Sequence, residues 1–528
     1  MNQKLKWDEI IGILFVTVSV CFLCISVFLS FSDDIWYDEL FTMGLINQPF
    51  GKLISITARD VHPPLYFFIV KLFVSVTEII GTGISQVAIA KLASVFPFLL
   101  CLIYAVTMVR RNFGMLTAGL FSFLLLSMPQ IADYTVEIRM YGYALFFITA
   151  AMLHAYELVQ EKKSYVNWFA LTFYALAACY THYFACVAAC MVYLYLLIAL
   201  WKEHRIKEEM KAYLISGACC AAAYLPWLIS VVVFQVGQVK ENYWIQPLTW
   251  RSLGGCVKFL FKPFFANEIV NGVLAVLLFL LYIVLFSLVA VRLWKGRKGK
   301  ASNAVSEEGE SKYFFVVGCV SVLAGIVLFG FLASFLIRPI FVYRYMLPAL
   351  GVFWLAFAIL VTELKSIKCS QRFLMIPVMG LLVVLGLRNY RAFYGEEMWK
   401  RVQMEDAMEA LAQIDENDVV VFNFDQAQAV VSCYFNNHTY LWYGEPEALI
   451  QEMYPSVHAL VEGEFTDEAG ILRLQELLKE NGKIWFLGSG NAREEILEKW
   501  KDAGMKVEET TSVMVERYWF NIYKITEK

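Results

Sequence analysis

Charge is scarce in this chain. Asp, Glu, Lys and Arg make up 17% of its 528 residues, while 59% are hydrophobic and 16% aromatic. That balance excludes an ordinary soluble protein. No long basic tract is present and the net charge is −3, so nucleic acid is not an expected partner. No small-residue cleavage site follows the first apolar run, which therefore reads as a retained membrane span and not as a removable signal peptide. No tandem repeat is apparent. Cysteine is present, but mostly inside apolar runs, and the region after residue 390 holds only Cys433, which excludes an internal disulfide framework there. Cys21-x-x-Cys24 has metal-ligand spacing, yet it lies mid-helix without a second pair or a nearby His, and reads as apolar packing. Asn437-His438-Thr439 fits a glycosylation sequon, a triplet that often arises by chance.

What is present in quantity is long apolar runs, which set the fold class as a polytopic α-helical membrane protein. Loops rich in Lys and Arg are expected on the cytoplasmic side: Arg110-Arg111, Lys162-Lys163, Lys202 to Lys211, Arg292 to Lys300 and Lys365 to Arg372. Placing them there predicts spans at 10–31, 88–109, 115–132, 142–160, 166–181, 183–201, 212–235, 270–291, 313–337, 345–362 and 373–387, about eleven in all. The N-terminus is then cytoplasmic and the C-terminus extracytoplasmic, in the cell membrane. Pro63 to Ile80 is apolar but short and interrupted by Lys71 and Glu78. It reads as an interfacial helix in the first external loop, begun by Pro63-Pro64.

After residue 390 the composition changes. Val419 to Phe422, Lys483 to Leu487 and Tyr518 to Tyr523 read as strands, and Glu405 to Ile414, Ile471 to Glu480 and Ala492 to Ala503 as helices. The expectation is a membrane domain over 1–390 and a small external α/β domain over 391–528, with some parallel pairing. Gly488-Ser489-Gly490 after a strand is a weak nucleotide-loop signal. The only low-complexity patch is Gly299 to Ser311.

Four groups of polar residues then fall on the external side. The first is Asp33-Asp34-Ile35-Trp36-Tyr37-Asp38-Glu39, carboxylates beside hydrocarbon, which are costly unless they serve a polar site. Among aromatic neighbours, Asp38 is suited to take a proton from an incoming hydroxyl, with Glu39 tuning it or binding a cation. The second runs from Asp133 to Tyr141, where Glu137 is positioned to join Asp38 around an acceptor or a metal. In the same run Arg139 can hold a phosphate bidentately, with Tyr141 beside it. The third is His62, next to Asp60 and Pro63-Pro64, a candidate hydrogen-bond donor to phosphate. The fourth contains Arg338 and Arg344, arginines that run against the positive-inside trend and can meet a leaving group's charge; His182 joins them more weakly.

Trp36-Tyr37-Asp38-Glu39, His62-Pro63-Pro64-Leu65-Tyr66, Glu137-x-Arg139-Met140-Tyr141, Thr181-His182-Tyr183 and Arg344-Tyr345-Met346-Leu347-Pro348, in this order, resemble bacterial membrane glycosyltransferases of the GT-C class. Within it they are most similar to the family 39-like enzymes, which include protein O-mannosyltransferases and the lipid A aminoarabinose transferase. The resemblance covers roughly residues 10–390. It implies a polyprenyl-phosphate sugar as donor, a catalytic Asp in the first external loop at Asp38, and interfacial helices in that loop. The second acidic position, Asp in some branches of the family, is Glu137 here. A divalent cation at Asp38 and Glu137 is therefore an open expectation, and no other cofactor is expected. The reaction implied is a single displacement onto an acceptor hydroxyl of a glycan, lipid or protein, in cell-envelope glycosylation. A ligase or polymerase moving a preassembled lipid-linked glycan is the nearest alternative. A lipid or solute transporter is a more distant one, since it should show ionisable or broken helices at mid-membrane depth and inverted repeats.

Overall fold

In hydrocarbon a backbone must satisfy its own polar groups, and helices do so within one segment. The computed structural model describes residues 7–160, 164–238, 245–298, 307–364, 369–435, 437–461 and 467–528. Lys162-Lys163 and parts of the loops at Arg292 to Lys300, Gly299 to Ser311 and Lys365 to Arg372 lie outside them. Among the described residues nine helices are long and apolar enough to cross a membrane: α1 (Trp7–Leu29), Gln86–Phe113, Tyr141–Gln160, Tyr183–Lys202, Ile206–Gln235, Glu268–Val291, Gly309–Leu336, Tyr343–Glu363 and Leu374–Leu411. The two other expected spans are shorter helices, Met115–Ser127 and Tyr165–Cys179, of 13 and 15 residues. The first stops early for a local reason: Met128 precedes Pro129 and is extended, with ψ 156°, because the proline ring disfavours helical backbone before it. After α1 the chain forms α2 (Tyr37–Ile46), α3 (Phe50–Arg59) and α4 (Leu65–Ile80), the last over the segment expected to be interfacial.

The chain divides into two compact units, one of residues 1–30, 57–69 and 91–394, the other of 31–56, 70–90 and 395–528. In the first unit, Tyr141–Gln160 and Tyr343–Glu363 are buried along their apolar length, with only end residues such as Gln160 and Glu363 reaching the surface. Helix α1 packs on Met115–Ser127 at backbone contact, since a Cβ added to Gly119 would stand 2.2 Å from the Gly12 carbonyl oxygen. Small residues allow this approach between membrane helices.

The second unit contains a six-stranded sheet of β1 (Val419–Phe422), β2 (Thr439–Leu441), β3 (Val457–Ala459), β4 (Lys483–Ser489), β5 (Met505–Val515) and β6 (Tyr518–Glu527). Its order is β3-β2-β1-β4-β6-β5. The first four strands are parallel, with Val420 opposite Thr439 and Trp485, and β6 runs antiparallel to both β4 and β5. Val421, Trp442, Leu474, Phe486, Trp500 and Ile525 form its core. The expected strands and helices recur here, except that Glu405 to Leu411 is the end of the 43-residue helix Cys369–Leu411. The Gly488-Ser489-Gly490 backbone is already engaged: Asn423 donates to the Ser489 carbonyl at 2.7 Å and accepts its amide at 2.9 Å. Asn437 of the sequon is buried and donates to the Asp415 and Asp418 carbonyls, so its amide is not offered for glycosylation in the folded chain.

Candidate active site

The first unit gathers four of the sequence-predicted residues where helices begin. Arg139 and Tyr141 stand at the start of Tyr141–Gln160, His182 caps Tyr183–Lys202, and His62 precedes α4. The His182 ring lies 5.4 Å from Tyr141, 5.1 Å from Tyr345 and 6.2 Å from His62, centre to centre. Helix N-termini carry partial positive charge, and several aimed at one place favour an anion.

A hydrogen-bonded chain orients this cluster. Asp60 Oδ2 accepts from His62 Nδ1 at 2.9 Å, and Arg139 Nη2 donates to His62 Nε2 at 3.4 Å. A guanidinium only donates, so Nε2 accepts and the imidazole proton in this arrangement sits on Nδ1, facing Asp60. Burial pushes the Asp60 carboxyl up, but His62 beside it, with its hydrogen bond, and Arg139 behind prevail and hold it below its ordinary value. The segment before His62 is fastened in turn. Gln235 donates to the Thr57 and Ala58 carbonyls at 3.1 Å each and also to that of Asp60. Tyr183 donates to Gln235 at 2.6 Å.

His182 is 3% exposed, and burial, with the nearby His62, Arg139 and Arg344, depresses its pKa well below the usual imidazole value. It is a neutral ring. Its Nδ1 accepts the Phe184 amide at 3.2 Å, which puts its proton on Nε2 as a donor. Tyr134 sits among Glu137, Tyr141 and Arg344. Burial raises its hydroxyl pKa, the Glu137 charge adds to that, and Arg344 opposes it. Arg338 lies in the segment between Gly309–Leu336 and Tyr343–Glu363 and is half-buried.

Asp38 and Glu39 belong to the second unit, in the first turn of α2. Glu39 is buried, and its Oε2 accepts the Trp36 amide at 3.0 Å; Asp38 is half-buried. Three residues of the sheet domain close on α2 and the segment before it. Tyr434 donates to the Asp33 carbonyl, Tyr37 donates to Glu447 at 2.7 Å, and Tyr454 donates to the Leu40 carbonyl at 2.9 Å. A Cβ on Gly44 would stand 2.8 Å from the Tyr454 ring.

Sequence reasoning passed over Asp60 except as a neighbour of His62, although Asp-x-His spacing was visible. It did not anticipate Gln235, which acts across 175 residues or more and leaves no local pattern. Among the described residues no three His, Cys, Asp or Glu side chains group closely enough to hold a metal ion. Asp38 or Glu137 would supply only part of a cation's shell. A cation there would need substrate oxygens to complete its shell.

Residues 61–229 match the sequence model of the dolichyl-phosphate-mannose-protein mannosyltransferase family. That stretch holds His62, Glu137, Arg139, Tyr141 and His182, and excludes Asp38 and Arg344. The fold is the GT-C fold of membrane glycosyltransferases. In particular it is similar to ArnT from Cupriavidus metallidurans in the apo state, with TM-score 0.56, 12% identity and 97% of each chain covered. The same protein bound to undecaprenyl phosphate gives TM-score 0.54 at 12% identity, again with 97% of each chain covered. A direct sequence comparison with curated proteins gives no match.

Proposed function

We propose that this protein transfers a sugar from a polyprenyl-phosphate carrier to an acceptor hydroxyl at the outer face of the cell membrane. One observation carries the reading: two helix starts bring buried Arg139, neutral His182 and Tyr141 together. Such a place suits a phosphate diester, which needs charge and directed donors but no strong base. The partial family match and the ArnT fold support it, and ArnT itself was crystallised with undecaprenyl phosphate.

In this mechanism the phosphate is held by Arg139 and by Nε2–H of His182, with Arg344 and Tyr141 contributing. Asp60 and His62 act behind Arg139 by fixing its guanidinium. Asp38 accepts the proton of the acceptor hydroxyl as its oxygen bonds to the anomeric carbon. The bond from that carbon to the carrier phosphate breaks, the phosphate keeps the electron pair, and configuration inverts. Arginine offsets the growing phosphate charge, so no general acid is required at the leaving group. Glu39 closes the helix that carries Asp38, and Glu137 has a supporting role near Tyr134 and Arg344. The orientation, with N-terminus cytoplasmic and sheet domain outside, rests on the distribution of Lys and Arg.

The test uses purified protein in lipid nanodiscs with radiolabelled undecaprenyl-phosphate hexoses and pentoses. Consumption of one donor by the parent and not by Asp38→Asn is the expected result. No consumption of any donor, with or without membrane extract as acceptor, overturns the reading.

A further inference from the structure

The two residues at the tip of the β5–β6 hairpin are Glu516 and Arg517, between the paired Val515 and Tyr518. Both have left-handed backbone, with φ of 48° and 70°. Such turns favour Asn-Gly, because a side chain at positive φ is strained. Here two long charged residues take that conformation, and strain of this kind persists where surrounding contacts fix it. Arg517 turns outward to Glu396 at 2.6 Å. Glu516 turns inward: its carboxyl accepts the backbone amide of Tyr37, the first residue of α2. Its Oε1 is buried and makes no hydrogen bond among the described residues.

The first amides of a helix have no partner within it. At the start of α2 two successive amides are each met by a carboxyl group: Trp36 by Glu39, three residues on, and Tyr37 by Glu516, from the far end of the chain. We propose that Glu516 is a positioning residue for Asp38, a strap from the sheet domain that fixes the first turn of α2 and so the direction of the Asp38 carboxylate. The proposal rests on the reading of Asp38 as the base. Burial pushes the Glu516 carboxyl up to about 8, with the charges of Glu39, Asp38 and Asp425 adding to this and the Tyr37 amide opposing it. Glu516 therefore holds its proton at neutral pH and meets the amide without placing a second full charge beside Asp38.

The experiment compares the full-length parent, Glu516→Gln, Glu516→Ala and Asp38→Asn by hydrogen exchange of the Tyr37 to Leu40 amides and by donor consumption with undecaprenyl-phosphate sugars. Glutamine keeps a neutral acceptor in place and alanine removes it. In Glu516→Ala the amides should exchange roughly tenfold faster, the effect of one lost hydrogen bond. Its kcat should fall by at least a similar factor while the donor KM holds. Glu516→Gln should keep most of both. Unchanged exchange in Glu516→Ala overturns the strap, whatever the activity. Faster exchange with unchanged kcat, in a protein that Asp38→Asn inactivates, overturns the positioning role. Full activity in Asp38→Asn instead removes the underlying reading of Asp38 and leaves the exchange result to decide the strap alone.

Discussion

Glu39 reaches back three residues to the amide of Trp36 at 3.0 Å. This separates it from its neighbour: Glu39 is buried and committed to the helix start, while Asp38 beside it is half-buried. Two adjacent acids thus have different tasks. Asp38→Asn keeps size and loses basicity, so turnover should fall by roughly 10²–10⁴-fold with little change in abundance. Glu39→Gln should cost about 1 kcal/mol of stability, as lost helix caps do, and leave turnover within a few-fold. Thermal unfolding and single-turnover transfer, measured on both variants, distinguish the roles; a fully active Asp38→Asn would remove it as the base.

Arginine's fork cannot be replaced by an ammonium at a bidentate phosphate site. Arg139→Lys should lower kcat/KM for the lipid donor by roughly tenfold, and Arg139→Ala by 10²-fold or more. Arg344→Lys should lose less. Kinetics with varied donor check this, and lysine variants equal to the parent would make these arginines headgroup anchors.

The Asp60 carboxyl is held below its ordinary value by His62 and Arg139 against the opposing effect of burial. A depressed carboxylate contributes stability above the unfolded-state value and loses it as pH falls through the folded one. Asp60→Asn should therefore be less stable than the parent at neutral pH, and the gap should close on acidification below about pH 4. Its donor KM should rise, because the uncharged amide holds His62 less firmly. Melting curves across that range provide the check, and parallel curves would contradict the assignment.

Glu516 has the opposite sign. Its folded pKa, about 8, is raised by burial and by Glu39, Asp38 and Asp425, so its contribution is full below the ordinary glutamate range and is lost as pH rises through 8. From the other elements around it the groups that face it are Tyr37, Asp38 and Glu39 of α2 and Asp425 of the helix Asp425–Tyr434; Arg517 of its own turn pairs with Glu396. Glu516→Gln should flatten the decline in melting temperature between about pH 5 and 9 that the parent shows.

Cysteine labels at Gly299 to Ser311 should be shielded from impermeant reagents in intact cells, and labels beyond residue 400 should react. Both on one side would reverse the proposed orientation.

The spans, and the residues proposed to face the donor, were legible because apolar length and stray charge are local signals. Arg338 and Arg344 stood out through their position against the charge trend, and Arg139 through the acid and tyrosines beside it. The sheet domain was legible only in part. Strands Thr439–Leu441 and Val457–Ala459 are three residues each, too short for alternation to show. Met505–Val515 reads Glu-Glu-Thr-Thr-Ser along its exposed middle, a polar run without a buried face. The helix Asp425–Tyr434, where α2 docks, gave no signal because it precedes no long apolar stretch. Glu516 was invisible for a further reason: a glutamate in a turn looks solvated until its partner, 479 positions earlier, is known.

The docking of α2 also has a temporal side. The segment bearing Asp38 is synthesised directly after the first span, whereas Glu447, Tyr454 and Glu516, which secure it, follow more than 400 positions later. Contacts so distant in sequence form late and slowly. A nascent chain already threaded into the bilayer thus carries Asp38 on an unsecured helix until the sheet domain has been made and folded.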